Sequence, residues 1–551
     1  MLPLSLAVAL LAGCTSPAPA WQKPPPLRSD ADPAQIATGL SDVDLVGQVL
    51  VPYAYGLDAN EVSDGAAQAN RKLAGVDTPA QMIAKYRLGG LILVDHPTAD
   101  RSAPTNPTTN IDNPIQVHAL TAGLQGAAAR LPARVPLLVG IDQEYGWVTR
   151  IRSGVTQLPS AMALGAAADA QLTEQGWAAA GADLAALGLN TDFAPDADVL
   201  GPAGSAVIGS RSYGSNPATV GVQVAAAVRG LHAAGVAAAL KHFPGHGHTT
   251  VDSHASVPVL SQSLTGLQSG DLPPFASGIE AGADLVMSGH LDVQSIDPGT
   301  PASFSSKVLI DLLHTHLGFK GVVVTDALNM AAAQRWPPAE AAVRALLAGN
   351  DLLLQPPDLP AAQKALLDAL HSGRLPRERL VQAVTRVLAL KLRLLGAPRP
   401  GPLSDVGNAD RQAAAAKLAA AAVTVLRGPC KGPLAAAPVT VSSSGGRDQQ
   451  RAWLTDALRA AGVQVNPSGG TVVHLVGYGD TSGDLAANAG ITVAMDVPGI
   501  LSAARSPVRV ATYSSTQAAM VALAAVLAGK ASAPGRSPVD VPGLPRSACR
   551  R

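Results

Sequence analysis

The sequence predicts an α/β chain: a (β/α)8 TIM-type barrel followed by a smaller α/β sandwich domain. Three observations lead there. Eight short apolar runs alternate with alanine-rich stretches of helical period over about 350 residues, the pattern of strand–helix units around a parallel barrel. Several runs end in a charged or imidazole side chain: Asp142, Asp192, Lys241, His242, His290 and Asp326. A break, Gly396-Ala397-Pro398-Arg399-Pro400-Gly401-Pro402, then divides this pattern from a second set of short apolar runs.

At the N-terminus, residues 4–11 form a short apolar core, and Leu11-Ala12-Gly13-Cys14 has the form of a lipoprotein signal-peptidase site. The core is too short to span a bilayer as a helix. Residues 1–13 are therefore expected to be a lipoprotein signal peptide, although no Lys or Arg precedes the apolar core. Cys14 is expected to carry a lipid anchor that holds an exported protein to the cell membrane or envelope. Residues 14–40 follow as a Pro/Ala-rich tether.

The barrel is expected over residues 41–398, with strands at 46–54, 88–95, 135–142, 190–198, 236–242, 284–290, 321–326 and 351–355. Strand carboxyl ends in such a barrel open on one face, so the polar residues at those ends are expected to share one site. A helix over 376–395 closes the domain, with Leu380, Val384, Val387, Leu388, Leu392 and Leu395 at helical spacing. Residues 399–410 are expected as linker and 411–551 as the C-terminal α/β domain, with apolar runs at 423–426, 439–441, 471–476, 492–495 and 508–511. Cys430 and Cys549 both fall in this domain, and an exported compartment permits a disulfide between them; two unrelated thiols are the alternative.

Composition narrows the function classes. A chain of 551 residues exceeds what one core supports, so two domains are expected. The 40 basic residues balance 40 acidic ones and are scattered, which gives no footprint for a nucleic-acid partner. Alanine inflates the 47% hydrophobic content, which does not signal a polytopic membrane protein. The alanine-rich helices also hide any apolar patch that would reveal the oligomeric state.

The chemistry gathers in Lys241-His242-Phe243-Pro244-Gly245-His246-Gly247-His248, with Asp252-Ser253-His254 close behind. An apolar run, 236–240, delivers Lys241 and His242 to a rim, and Pro244, Gly245 and Gly247 then open a loop. Asp326 ends Gly321-Val322-Val323-Val324-Thr325-Asp326, whose three valines read as a buried parallel strand. Bland readings stand beside these. Asp326 could cap a following helix, Lys241 could be a solvated rim charge, and Arg211 could bond loop carbonyls. His246 and His248 also form an H-x-H pair of the kind that binds metal in some barrel enzymes, given further ligands.

The Lys241–His248 segment and the following D-S-H resemble the signature of the family 3 glycoside hydrolases, in their β-N-acetylglucosaminidase branch. The resemblance implies that Asp252 orients His254, that His254 is the general acid/base, and that Lys241 and His242 hold sugar hydroxyls. It makes Asp326 the nucleophile, in a V-x-T-D segment followed by Met330. Asp142, in Val139-Gly140-Ile141-Asp142-Gln143-Glu144, and Arg150 would contact the sugar, as would Arg211 in Ile208-Gly209-Ser210-Arg211-Ser212-Tyr213-Gly214. Two positions depart from the family pattern. Ala327 stands where a second Asp is frequent, and Trp147 stands where the usual G-G-R-V-x-R carries its first Arg.

The chemistry suits these residue types. Cleaving a glycosidic bond needs a proton near neutrality, which histidine supplies, and a carboxylate for the oxocarbenium-like centre. The implied activity is a retaining exo-β-N-acetylglucosaminidase that hydrolyses terminal β-linked GlcNAc from cell-wall muropeptide fragments through a covalent glycosyl-Asp, with no metal or organic cofactor. Three alternatives stay open: transfer of the glycosyl group to phosphate by the same dyad, a non-catalytic envelope sugar-binding lipoprotein, and a barrel metalloenzyme. The second domain, including its closing Gly535-Arg536-Ser537-Pro538-Val539, resembles that of many family members and offers no evident catalytic residue.

Overall fold

The computed structural model describes residues 27–95, 109–202, 205, 207–251, 253 and 256–549. Eight parallel strands form the barrel: β1 (Leu50–Val51), β2 (Gly90–Leu93), β3 (Leu138–Ile141), β4 (Thr191–Asp192), β5 (Ala237–Phe243), β6 (Leu285–Ser288), β7 (Val322–Thr325) and β8 (Leu353–Leu354). Strands β2 to β7 pair in sequence order. Closure runs through β8, which pairs with β1 in the register Leu50↔Leu353 and bridges to β7 at Val324↔Leu352. The Ile92 amide donates to the Pro52 carbonyl at 3.0 Å, which joins β1 to β2. The eight runs expected from sequence are thus the eight barrel strands.

Side chains alternate across these strands as the pleat requires. Val51, Ile92, Leu138, Phe193, Ala237, Ala239, Leu285, Met287, Val322, Val324 and Leu354 point inward as one apolar plug. Val139, Ile141, Ala238, Leu240, Val286 and Val323 point outward into a larger core beneath the surrounding helices. The closing helix, Arg377–Leu395, adds Val387 and Leu390 to the plug.

Two expectations shift at the N-terminal side. Residues 46–48, expected as strand, belong to the helix Asp42–Gln48. Ser41 caps it by accepting from the Asp44 amide, and Asp42 and Asp44 in the first turn suit the positive end of the helix dipole. The expected tether also ends early. Pro33–Gly39 is a helix capped by Asp32, and Ala37 is buried in the barrel-side core. Cys14 lies outside the described residues. Among the described residues, no helix is long and apolar enough to cross a membrane.

Helix Ala409–Ala422 leads from one domain to the next: Ala415 and Leu418 pack into the barrel-side core and Ala419 into the core of the second domain. That domain holds five strands, β9 (Thr424–Arg427), β10 (Val439–Ser443), β11 (Thr471–Val476), β12 (Ile491–Ala494) and β13 (Val508–Ala511), in the order β9-β13-β12-β11-β10. All pairs are parallel except β9 with β13. Strand alternation decides how the domains meet. Val425, Leu475, Val493 and Val510 face helices Asp448–Ala460 and Gln517–Leu527. Their neighbours Leu426, Val476, Ala494 and Ala511 face Met162, Ala163, Leu200 and Ile208 of the barrel. The sheet is buried on both sides, and one side is the domain interface. Cys430 and Cys549 are bonded to each other with Cα atoms 5.2 Å apart, and the Ala548 amide donates to Val425 O at 2.8 Å, which ties the C-terminal segment to β9.

Candidate functional site

Barrel geometry sets Asp142, Asp192, Lys241, His242 and Asp326 at or just beyond the carboxyl ends of β3, β4, β5 and β7. Lys241 is only 2% exposed. Burying an ammonium so deeply requires partners, and it has two: Asp142 Oδ1 at 2.7 Å and Glu144 Oε1 at 2.6 Å. Arg211 closes the other side of Glu144 with a two-point grip, Nε to Oε2 at 2.7 Å and Nη2 to Oε1 at 2.8 Å. Burial alone would raise the Glu144 carboxyl, but the Arg211 and Lys241 charges hold it well below the usual carboxylate range. Burial would likewise depress Lys241, yet Asp142 and Glu144 lift it above its ordinary value. Arg150 joins from the rim, 3.7 Å from Asp142 Oδ2.

His242 is fixed from both ring nitrogens. Arg211 can only donate, so its Nη2, 3.1 Å away, makes His242 Nε2 the acceptor. The Nδ1 hydrogen is then directed at Asp198 Oδ2, 2.8 Å away. The other Asp198 oxygen accepts from the backbone amides of His242 and His246, at 3.2 and 2.6 Å. Burial works against ionisation of Asp198, but His242 and then His246 hold its carboxyl down at about 2. Asp198 therefore anchors both the imidazole and the root of the glycine-rich loop.

Asp192 and Asp196 are buried against this network. Burial pushes both carboxyls up, with the charge of Asp198 adding to it at Asp196. One oxygen of each, Oδ2, is buried without a hydrogen-bond partner. Asp196 Oδ2 lies 3.9 Å from Arg211 Nε and 3.8 Å from His242 Nδ1. Among the described residues, Asp196, Asp198 and His242 form the one close group of three metal-type ligands. Their immediate neighbour is the Arg211 guanidinium, and Asp198 is already committed to His242 and to amides, which makes this a poor cradle for a second cation.

The loop beyond β5 is pinned at its base. Gly247 O accepts from the Gly201 amide at 3.0 Å, and His248 Nδ1 meets Asp271 Oδ1 at 2.8 Å. Gly245 is required here: its φ is +134°, and a Cβ would come within 2.6 Å of Asp271 Cβ. His246 and His248 do not converge. The His246 ring contacts Thr249 Oγ1 at 2.5 Å and Ser253 Oγ at 3.3 Å, while His248 is given to Asp271. Asp252 and His254 lie outside the described residues. Ser253 between them is buried, and its carbonyl accepts from Ala332 N at 3.4 Å, in the turn that follows Asp326.

Asp326 is 9% exposed, its amide donates to Ser288 O at 2.9 Å on β6, and its Oδ1 accepts from the Ala327 amide at 2.7 Å. The chain turns after it and forms only the short 3-10 segment Ala331–Ala333, so Asp326 caps no helix. His290, beyond β6, is spent on Ser303 Oγ at 2.6 Å and Ala327 O at 3.1 Å.

The structure thus brings Asp142, Arg150, Arg211, Lys241 and His242 into one charged network. Sequence reasoning quoted Glu144 without a role and missed Asp196 and Asp198. The spacing Asp196-Ala197-Asp198, two carboxylates on one face of an extended segment, was the available signal. It also missed Tyr478 of the second domain, whose ring stacks on Trp147 at 4.4 Å.

Comparison with known proteins gives a consistent picture. The sequence profile of the glycosyl hydrolase family 3 N terminal domain matches residues 57–390. The chain is 33% identical over 377 residues to a β-hexosaminidase A of Pseudoalteromonas piscicida, a match covering 63% of this chain and 61% of that protein. It is 39% identical over 309 residues to a β-hexosaminidase of Stenotrophomonas maltophilia, covering 54% of this chain and 85% of the relative. Among solved structures, a family 3 β-N-acetylglucosaminidase from a Paenibacillus species is similar over 91% of this chain and 99% of its own, with a TM-score of 0.78 and 32% identity.

Proposed function

Because the chain belongs to glycosyl hydrolase family 3, we propose that it is a retaining exo-β-N-acetylglucosaminidase acting on terminal β-linked GlcNAc. The observation that carries the reading is the network of buried Lys241, Glu144 and His242 with part-buried Asp142 and Arg211, on the barrel face that also bears Asp326. Such a set presents fixed donors and acceptors to the hydroxyls of a pyranose, with side chains already held in place by one another. The similar proteins named as β-hexosaminidases and as a β-N-acetylglucosaminidase support the choice of sugar.

Asp326 attacks the anomeric carbon, and the bond from that carbon to the leaving oxygen breaks as His254, oriented by Asp252, gives the oxygen a proton. The sugar is then an ester of Asp326. His254 takes a proton from water, the water oxygen bonds to the anomeric carbon, and the Asp326 carboxylate departs. The substrates proposed are muropeptide fragments of the cell wall with a terminal GlcNAc.

The test is release of p-nitrophenol from its β-N-acetylglucosaminide and β-glucoside, with and without phosphate, by the parent and by Asp326→Ala and His254→Ala. Preference for the N-acetyl substrate with at least about a thousandfold loss in Asp326→Ala is expected. Full activity in Asp326→Ala would remove the proposed nucleophile. Turnover only with phosphate present would replace hydrolysis by phosphorolysis.

A further inference from the structure

The segment that carries Arg211 rests on the second domain. A Cβ on Gly209 would come within 3.3 Å of the Val497 side chain. Further on, both the amide and the hydroxyl of Ser215 donate to Pro538 O, at 3.1 and 3.2 Å. Trp147, on the loop after β3, places its ring 5.9 Å from the Arg211 guanidinium carbon. That ring is in turn stacked on Tyr478, with centroids 4.4 Å apart and planes 23° from parallel.

The turn that carries Tyr478 is tied down through its backbone. Arg447 Nη2 donates to the Tyr478 carbonyl at 2.6 Å, and Arg447 Nε bonds Ser444 and Asp480 at 3.0 and 3.1 Å. Asp480 accepts from the Gly477 amide at 2.6 Å, which closes the turn. The guanidinium plane of Arg211 therefore has Glu144 along one edge and an aromatic wall beside it, and the outer support of that wall belongs to the second domain. An aromatic face beside a guanidinium limits its rotation and adds a cation–π attraction.

We propose that Tyr478 is a positioning residue for the sugar site, fixing through Trp147 the Arg211 guanidinium that grips the substrate. The proposal rests on the glycosidase reading above. It gives the second domain a share in substrate recognition through a residue that touches no substrate. Arg211 would hold the sugar in ground and transition states alike, so its displacement weakens binding more than it slows chemistry.

The experiment measures KM and kcat on the p-nitrophenyl β-N-acetylglucosaminide for the parent, Tyr478→Ala and Tyr478→Phe, each also in an Arg211→Lys background, with melting temperatures alongside. Tyr478 is 46% exposed, so its truncation leaves the core intact. Tyr478→Ala is expected to raise KM about two- to tenfold with kcat within about twofold, the range an aromatic pair supplies, and Tyr478→Phe is expected to restore it. In the Arg211→Lys background the same truncation is expected to add little, because both changes act through one group. An unchanged KM with only a lower melting temperature would make the stack mere domain glue and overturn the proposal, as would an undiminished effect in the Arg211→Lys background. If the parent turns over no glycoside, the glycosidase reading fails separately. The positioning role is then read from calorimetric titration with N-acetylglucosamine, where equal Kd values for parent and Tyr478→Ala overturn it and a weaker Kd in Tyr478→Ala supports it.

Discussion

Two lysines, each 2% exposed, occupy opposite ends of the barrel and could hardly be treated more differently. Lys241, at the carboxyl ends of the strands, sits between Asp142 and Glu144 and is held above its ordinary pKa. Lys391, on the closing helix near the amino ends, has Gln48 Oε1 at 2.7 Å as its hydrogen-bond acceptor, and burial drops it to about 7. It lines a cavity of about 340 Å³ together with Leu138, Leu189 and Asn190, at the starts of β3 and β4. On one face the fold surrounds a buried charge with counter-charges and turns it into a fixed donor; on the other it leaves the amine to shed its proton. Burial depth alone therefore says nothing about function. The partners decide it.

The sharpest way to break the contrast is to give both lysines the same apolar replacement. Lys241→Met leaves Glu144 buried and Asp142 half-buried with only the arginines as counter-charges. A loss of about 3–5 kcal/mol in unfolding free energy is expected, with turnover reduced at least a hundredfold, as measured by urea unfolding and steady-state kinetics. An unchanged unfolding free energy would show that the carboxylates do not need the ammonium. Lys391→Met is expected to act in the opposite sense and stabilise the protein. The folded amine titrates at about 7, well below the ordinary value of a free lysine, so the folded chain binds fewer protons than the unfolded one between those values. The penalty is full at or below pH 7 and fades as pH rises towards about 10. After allowing for the lost Gln48 bond, a gain of about 1–3 kcal/mol is expected at pH 7, shrinking at higher pH. A Met variant less stable at every pH would mean the cation is not the strained element.

How much of this the sequence revealed follows the same division. The barrel was legible because each strand is an apolar run that ends in a polar residue or a glycine break; β1 was drawn too long at its start because the Ser41 cap claimed residues 46–48 for a helix. Lys241, His242, Asp142 and Asp326 were legible as strand ends. Asp252 and His254 were legible only through resemblance. Lys391 could have been noticed, since it lies three and four residues after Leu388 and Val387 on the apolar stripe of its helix. Trp147 was visible as a departure, but its partner was not: nothing local links residue 147 to residue 478. Asp198 was readable as one of two carboxylates on one face of an extended segment, but its anchoring role was not, because that role lies in amides and a ring brought to it by β5.

The smallest effect tests a case between the two lysines. The His248–Asp271 pair sits on the site face, at the root of the loop beyond β5, and its charge depends on pH. The hydrogen bond to Asp271 lifts His248 above its ordinary value, and burial lifts Asp271. Both shifts have the same consequence. A histidine raised in the folded state contributes stability that is present below its unfolded pKa, about 6.5, and is lost as pH rises through the folded value. A carboxyl raised in the folded state likewise loses stability as pH climbs through its window. Asp271→Asn removes both, so the variant is expected to be less stable than the parent near pH 5.5 and to recover the difference, or reverse it, near pH 8.5. Because His248 is partly exposed, the swing is expected to stay within about 1 kcal/mol. Urea unfolding of the two proteins at both pH values measures it. An equal difference at each pH would mean that the pair is an ordinary hydrogen bond without a titrating charge, unlike the Lys241–Glu144–Arg211 network on the same face.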